Sequence, residues 1–114
     1  AAGSWLSVDL GAGRSLVVDG YCWRGTVYDS NAALRSWQLQ GSADGRAWIP
    51  LKTHADDQSL GAGGQTYGSV EHWAVDGVST AYRHFRILLT GPNSRGDHFL
   101  ATNGMELYGE LLLD

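Results

Sequence analysis

The sequence predicts an all-β fold of the β-sandwich class, and three observations lead to it. Two short apolar-aromatic segments flank Ala43-Asp44-Gly45, and Asp and Gly favour a tight hairpin turn because they tolerate positive φ. Apolar residues alternate with polar ones in several segments, and the sixteen glycines are spread along the chain. The hairpin carries Trp37 on one arm and Trp48 on the other, so a second sheet is needed to bury the two rings.

The apolar pattern predicts seven strands, which span residues 5–10, 16–24, 35–42, 47–53, 69–76, 82–90 and 105–113. The first alternates Leu6 and Val8 with polar residues, so we expect it to be half-buried. The sixth has the clearest pattern, because Phe85, Ile87 and Leu89 fall on one face. Each segment is short and is bounded by turn residues, as expected for a sandwich.

Size and charge exclude several classes of protein. A chain of 114 residues is long enough for one domain and too short for two. The net charge of −4 and the absence of a basic run argue against nucleic-acid binding, which requires clustered Lys and Arg. No apolar stretch is long enough to span a bilayer. A single cysteine, Cys22, and no signal peptide favour an intracellular, cytoplasmic location.

The connections between the predicted strands differ in length according to the end of the sandwich where they lie. If each strand runs antiparallel to the one before it, alternate connections share an end. Three short connections share one end: residues 11–15, 43–46 and 77–81. Three long connections share the other: residues 25–34, 54–68 and 91–102. Because long loops are more than chain closure requires, the sequence predicts a binding rim at that end.

Four motifs in a fixed order extend over nearly the whole chain. They are Trp5-Leu6-Ser7-Val8-Asp9-Leu10-Gly11, Ser42-Ala43-Asp44-Gly45-Arg46-Ala47-Trp48, Tyr82-Arg83-His84-Phe85-Arg86-Ile87 and Gly104-Met105-Glu106-Leu107-Tyr108-Gly109. With these motifs the chain resembles a discoidin, or coagulation factor V/VIII type C, domain. Two further segments are similar to the intracellular branch found in BTB-domain proteins and some HECT-type ubiquitin ligases: Ala33-Leu34-Arg35-Ser36-Trp37 and Thr53-His54-Ala55-Asp56-Asp57-Gln58-Ser59-Leu60.

The resemblance implies a jelly-roll β-sandwich of the galactose-binding-like type over residues 1–114, as one domain of a larger protein. Such modules are non-catalytic and bind ligands through loops at one end, and intracellular relatives mostly recognise other proteins. The paired terminal cysteines of secreted members are absent. The sequence begins at the Trp5 strand, without the segment that carries a metal-binding loop in many relatives. We therefore expect no metal and no cofactor.

Six residues of the long connections and their borders are the predicted ligand-binding residues: Arg24, Tyr28, Arg35, His54, Asn93 and His98. An aromatic residue beside Arg and small polar residues is typical of interface hot spots. Other roles remain open for several of these side chains. Arg24 and Arg35 would instead brace the first loop by pairing with Asp29 or Asp56.

The segment around His54 has two interpretations. With Asp56 and Asp57 it could form a metal or acid–base site, but a metal needs three or four convergent ligands. The favoured interpretation is that His54 fixes the loop while Asp57 accepts backbone N–H bonds. Trp73, in the fifth strand, is expected to pack in the core.

The sequence thus predicts a module that recognises a partner protein or peptide through the long-loop rim. One alternative is a carbohydrate-binding module that stacks a sugar ring on Tyr28, Tyr67 or Trp73. Another is a structural subunit of a large assembly. An enzyme is not expected, because no Gly-x-Ser-x-Gly elbow and no Cys–His or carboxylate pair in a known frame occurs.

Overall fold

A computed structural model describes residues 5–24, 34–57, 59, 70–92 and 104–113. The seven strands are β1 Trp5–Asp9, β2 Arg14–Arg24, β3 Trp37–Ser42, β4 Ile49–His54, β5 Val70–Ala74, β6 His84–Leu89 and β7 Gly104–Leu113. Each coincides with a predicted strand to within about two residues at either end, as is usual for strand boundaries. In the part of the chain that is described, no helix is long and apolar enough to cross a membrane.

The strands form two antiparallel sheets. One has the order β1-β6-β3-β4 and the other the order β5-β2-β7. Every pairing within them is antiparallel, which agrees with the alternating strand directions assumed from the sequence. The two inner faces enclose one apolar core, as expected for a β-sandwich.

A β-bulge decides which side chains of β2 enter the core. The register between β2 and β7 shifts between Val18 and Gly20. Before the shift Val18 faces inward, and after it Tyr21 and Trp23 do, each with 0–1% of its surface exposed. A side chain changes face with every residue, so Tyr21 and Trp23 would point outward if Asp19 were not an extra residue in the ladder.

The β3–β4 turn follows the predicted chemistry in part, because Gly45 adopts the positive φ expected of the turn and Asp44 does not. Gly45 has φ of +80°, and the Ser42 hydroxyl oxygen accepts its N–H at 2.8 Å. The Asp44 carboxylate accepts the backbone N–H groups of Ala47 and Arg46. These bonds, that from Ala47 first, lower the pKa of Asp44 to about 2. Asp44 therefore acts through its side chain, while Gly45 supplies the positive φ.

The two Trp residues of this hairpin differ in burial, which corrects the expectation that the second sheet buries both. Trp37 is fully buried. Trp48 lies at the outer face of its sheet and is only partly buried, with the Arg86 guanidinium 4.3 Å from its ring centre. Trp48 lies between the turn and the first residue of β4, outside both strands, so strand alternation does not direct its side chain toward the core.

The half-buried pattern expected of β1 is also wrong. Leu6 and Val8 lie opposite Ile87 and Phe85 of β6, yet they are 38% and 36% exposed. β1 is the edge strand of its sheet and pairs with β6 on one side. The pattern on β6 is confirmed, since Phe85, Ile87 and Leu89 are at most 1% exposed.

Candidate functional site

The register of the strands shows where the three long connections leave the sandwich. In the four-stranded sheet Trp37, at the start of β3, lies opposite His54 at the end of β4. On its other side Trp37 lies opposite Leu89 at the end of β6. In the other sheet Arg24 ends β2 opposite the first residues of β5 and β7. Since the long connections join these strand ends, all three leave from one end, which we call the long-loop end.

Backbone hydrogen bonds join the stems of these connections. The Asp57 N–H donates to the carbonyl of Arg35 at 2.6 Å, and the Thr90 N–H donates to the carbonyl of Ser36 at 3.1 Å. The Asp56 N–H donates to the Ser36 hydroxyl at 3.0 Å. Asp56 has φ of +46°, a left-handed conformation that Asp adopts more readily than most residues. The short segment before β3 therefore fixes the stems of the other two connections.

A chain of buried hydrogen bonds lies directly beneath this end. The Trp37 indole N–H donates to the Tyr21 hydroxyl at 2.8 Å. The Tyr21 hydroxyl lies 2.6 Å from His54 Nε2, and His54 Nδ1 lies 2.8 Å from an Asp57 carboxylate oxygen. The other Asp57 oxygen accepts the Ser59 N–H at 2.9 Å. These hydrogen bonds thus extend from the core to the stem of the second long connection.

Aromatic packing holds the imidazole of His54 in this position. The rings of Trp37 and His54 stack with centroids 3.9 Å apart and planes at 12°. Trp73 packs edge-on against both, with centroids 5.3 and 5.0 Å away. Edge-to-face contacts of this kind stabilise aromatic clusters. Trp73 packs against the core, so its predicted core role is confirmed.

The protonation states follow from this network. Burial lowers the pKa of His54, and the hydrogen bond to Asp57 offsets only part of the effect. Burial also raises the pKa of the Tyr21 hydroxyl above its usual range. Burial alone would raise the pKa of Asp57, but hydrogen bonds from Ser59 and His54 outweigh it and lower that pKa. The assignment that satisfies every group is a neutral His54 that accepts from Tyr21 and donates to anionic Asp57.

We expect the stability of the domain to fall as the pH drops below about 6.5, because of His54. An unfolded histidine takes up a proton near that pH, whereas folded His54 resists protonation. The unfolded state then binds more protons, so the free energy of unfolding decreases. Urea unfolding of the native protein and of His54→Gln at about pH 7.5 and about pH 5.5 measures this.

The comparison isolates His54, because the other histidines are present in both proteins. The native protein should lose stability between the two pH values by a larger amount than the variant does. Asp57 does not contribute to the loss of stability between these two pH values. Its pKa is lowered from 3.8, so it takes up protons only at more acidic pH. An equal loss in both proteins would contradict the assigned role of His54.

The structure describes three of the six predicted ligand-binding residues. Arg24 is exposed at the end of β2. Arg35 is partly exposed, and its guanidinium donates to the carbonyl of Leu34 at 3.1 Å. His54 is 4% exposed, so it lies beneath the rim with both ring nitrogens engaged, as in the loop-fixing interpretation. The other predicted residues lie outside the described part of the chain: Tyr28, Asn93 and His98. As contacts to a ligand, all six remain predictions.

Sequence reasoning missed Tyr21, Ser36 and the role of Trp37 in this network. Tyr21 gave no signal, because its inward direction depends on the bulge in β2. Ser36 and Trp37 belong to one of the two segments that resemble the BTB and ligase branch, and His54 and Asp57 belong to the other. The structure brings these two segments into contact. Their pairing at one site is therefore the signal that could have identified the network.

The Tyr21–His54–Asp57 arrangement resembles a proton relay but is not placed for catalysis. A general base needs a free nitrogen within reach of a substrate. Both His54 nitrogens are occupied by protein groups, and the ring lies beneath the surface. In the described residues no three His, Cys, Asp or Glu side chains form a group that could hold a metal ion. The geometry therefore suits a support for the loops above it.

The two antiparallel sheets, with three long connections leaving one end, define an antiparallel β-sandwich with its long loops at one end. The chain belongs to the F5/8 type C domain family, whose model matches residues 1–103. The predicted family is thus confirmed, and the matched region covers most of the chain.

In the curated relatives, the region similar to this chain is a small part of a much larger protein. The chain is 39% identical over 110 residues to the Drosophila melanogaster E3 ubiquitin-protein ligase Ufd4, covering 96% of this chain and 4% of the ligase. It is 38% identical over 108 residues to the Caenorhabditis elegans E3 ubiquitin-protein ligase hecd-1, covering 94% and 4%. It is 37% identical over 93 residues to an Arabidopsis thaliana BTB/POZ domain-containing protein, covering 80% and 11%. The chain thus spans only a small part of each relative.

Solved structures confirm the fold. CBM62 from Clostridium thermocellum Xyl5A superimposes with a TM-score of 0.66 at 22% identity, covering 98% of this chain and 72% of that one. CpGH89CBM32-5 from Clostridium perfringens, solved in complex with GalNAc-β-1,3-galactose, gives a TM-score of 0.59 at 15% identity, covering 97% and 65%. At these identities the likeness concerns the fold alone.

Proposed function

We propose that this domain is a non-catalytic recognition module that binds a partner protein or peptide through its long-loop end, within a larger intracellular protein. The observation that carries the proposal is the common origin of the three long connections, whose stems are joined through Ser36. Stems fixed in this way reduce the entropy that the loops lose when they bind a partner. The similarity to two E3 ubiquitin-protein ligases and a BTB/POZ protein supports a role in selecting protein partners.

Binding at the loops also agrees with where the domain is rigid. The aromatic cluster of Trp37, His54 and Trp73 lies beneath the loop stems and holds them to the core. Sites carried by loops on a rigid sandwich are common, because the loops vary while the scaffold persists. Arg24, at the exposed end of β2, and Tyr28, which the sequence places in the first long connection, are two of the proposed contact residues.

We expect the triple substitution Arg24→Ala/Tyr28→Ala/His98→Ala to weaken partner binding strongly without unfolding the domain. Interface hot spots rich in Tyr and Arg commonly contribute 2 kcal/mol or more each, so binding should weaken by at least about tenfold. Affinity capture from cell lysate, quantified by mass spectrometry, compares the variant with the native domain.

The matched control carries Arg46→Ala and Glu110→Ala, which are exposed and lie away from the long-loop end. Proteins retained by the native domain and by this control, but lost from the triple variant, would support recognition through the loops. An unchanged set of captured proteins, with all three domains folded by circular dichroism, would refute it.

Carbohydrate binding requires an exposed aromatic ring on which a sugar stacks. Of the aromatic residues considered for that role, Trp73 packs against Tyr21, Trp37 and His54. Tyr28 and Tyr67 lie outside the described residues. Titration of the domain with galactosides, followed by Trp fluorescence, tests this alternative, and saturable quenching would favour it over protein recognition.

A further inference from the structure

The outer face of the four-stranded sheet carries an arginine within it. Arg86 points outward on β6, because its two neighbours Phe85 and Ile87 point into the core. The register places Ser7 of β1 on one side of Arg86 and Gln40 of β3 on the other. Since β6 is an inner strand of this sheet, Arg86 is surrounded by the face and does not lie at its edge.

Hydrogen bonds and stacking fix the guanidinium of Arg86. Its Nε donates to Gln40 Oε1 at 2.6 Å, and its central carbon lies 4.3 Å from the centre of the Trp48 ring. The Gln40 amide donates in turn to Gln38 Oε1 at 2.7 Å, and the Gln38 amide donates to the Thr53 hydroxyl at 3.3 Å. A side chain held in this way loses little freedom when it binds a ligand.

The described part of the protein does not match the positive charge of Arg86. Among the described residues no carboxylate lies within ion-pair distance of it. Gln40 engages only Nε, so the terminal amino groups of the guanidinium have no protein acceptor in that part of the chain. These groups reach the surface, since every buried side-chain N or O atom described has a partner. Burial lowers the pKa of Arg86, so a bound anion would stabilise a charge that the fold desolvates.

The acidic residue of this sheet is already engaged. Asp9 is the one Asp or Glu in the four described strands. Its two carboxylate oxygens accept from the Arg83 guanidinium at 2.7 and 3.0 Å. The bonds from Arg83 and from the Gly11 N–H hold the pKa of Asp9 well below its usual range. Asp9 therefore neutralises Arg83 and not Arg86, and the excess charge of these strands is positive.

An exposed apolar area adjoins Arg86 on the same face. Leu88 follows two residues further along β6 and lies opposite Trp5 of β1. Trp5 is 57% exposed, and exposed Trp beside Arg is typical of interface hot spots. Two residues along a strand span about 7 Å, which is also the distance between side chains i and i+2 of an extended peptide. One extended segment can therefore cover Arg86 and Trp5 together.

The charge of the whole chain narrows the kind of anion that fits. The net charge of −4 repels a polyanion such as nucleic acid at long range. A carboxylate instead gains its affinity at contact, through two parallel hydrogen bonds to one guanidinium. A protein segment also supplies the apolar side chain that covers Trp5. The chemistry of the face thus favours an acidic segment with an apolar residue two positions away.

We propose that the outer face of the four-stranded sheet is a second interaction surface, separate from the long-loop end, for an extended acidic segment of a partner protein. A Glu or Asp of the segment makes a bidentate contact with Arg86, beside the ring of Trp48. An aliphatic side chain two residues away covers Trp5 and Leu88. The surface is formed by strands, so it does not depend on the loops of the proposed function.

Fluorescence anisotropy tests the surface with a labelled octapeptide that contains Leu-Ser-Glu-Ser-Leu. Because this motif is the same in both directions, it fits either orientation of the segment. The comparison peptide has Gln in place of Glu. We expect the Glu peptide to bind saturably and about tenfold more tightly than the Gln peptide, as for hydrogen bonds between charged groups. Arg86→Gln should remove that difference. Arg86→Lys should keep only part of it, because an ammonium lacks the fork of N–H groups.

Trp5→Ser tests the apolar part of the surface and should weaken binding by about fivefold or more. Two controls lie on the other sheet and should leave binding unchanged: Arg14→Gln removes an exposed guanidinium from β2, and Leu112→Ser removes an exposed apolar residue from β7. Arg24→Ala alters the long-loop end, so an unchanged affinity in that variant would separate this surface from the site proposed above.

Equal affinity of the native domain for the Glu and Gln peptides would overturn the proposal. That comparison requires no substitution, so it decides even if a change at Arg86 unfolds the domain. Unchanged binding in Arg86→Gln and Trp5→Ser, with both folded by circular dichroism, would also overturn it. So would a loss of binding in Arg24→Ala, which would place the peptide at the long-loop end, or no binding by the folded domain up to about 1 mM.

Discussion

Replacing Trp37 with alanine is expected to lower the free energy of unfolding by about 3–5 kcal/mol, the range for a fully buried Trp. Trp37 has none of its surface exposed. Its ring stacks on His54, contacts Trp73 edge-on, and donates a hydrogen bond to Tyr21. The substitution removes all three contacts and leaves a cavity beneath the loop stems. Urea or guanidinium unfolding, followed by circular dichroism, measures the loss.

The second Trp of the same hairpin provides the control. Trp48→Ala removes a partly exposed ring whose main described partner is the Arg86 guanidinium, an interaction of about 0.5–1 kcal/mol at exposed sites. Trp37→Phe keeps an aromatic ring but loses the indole N–H, so it should be less damaging than alanine. Similar losses for Trp37→Ala and Trp48→Ala would show that the two rings are equally buried, contrary to the structure.

Replacing Gly109 with alanine is expected to destabilise the domain by about 3 kcal/mol or more, at or above the usual range for overpacking. Gly109 lies opposite Val18 at the bulge in β2. A Cβ atom there would collide with the carbonyl oxygen of Val17 and would lie 2.9 Å from Cα of Val18. Backbone atoms cannot rotate away as a flexible side chain can. The substitution therefore separates β2 from β7 where the bulge sets the register.

Gly13 is the matched control, because it isolates the effect of backbone conformation. It has φ of +79°, and a Cβ atom at this position would meet no other side chain or strand within 4 Å. Gly13→Ala should therefore cost only about 1–2 kcal/mol, the penalty for a left-handed conformation. Thermal or denaturant unfolding of both variants compares them. A loss for Gly109→Ala no greater than that for Gly13→Ala would mean that the close approach of β7 to β2 is absent.

The strands were predictable because their signal is local. The alternation of Phe85, Ile87 and Leu89 requires no knowledge of partners, and it corresponds to burial in the structure. The turn at Asp44 and Gly45 was predictable for the same reason, since turn chemistry depends on adjacent residues. The burial of β1 was not, because alternation gives the face of a side chain but not whether another sheet covers that face.

The candidate site also has features that the sequence predicted and features that it did not. Loop lengths and strand alternation predicted that three long connections share one end, and the strand register agrees. The network beneath them depends on contacts between residues far apart in sequence. Tyr21 and His54 are 33 residues apart, and neither residue by itself indicates the other. The predicted exposure of His54 at the rim followed from its position in a loop, without the stacking that buries it.

The sequence by itself determined the all-β class, the family, the seven strands and the grouping of the loops, because periodicity, turn residues and motif order are properties of neighbouring residues. Only the tertiary structure decided which Trp of the hairpin is buried and which face of β2 carries Tyr21. It also decided that His54 supports the loops from below and that Leu6 and Val8 of β1 stay partly exposed. These features arise where strands end, bulge or lie at an edge, and there burial depends on the packing of the other sheet.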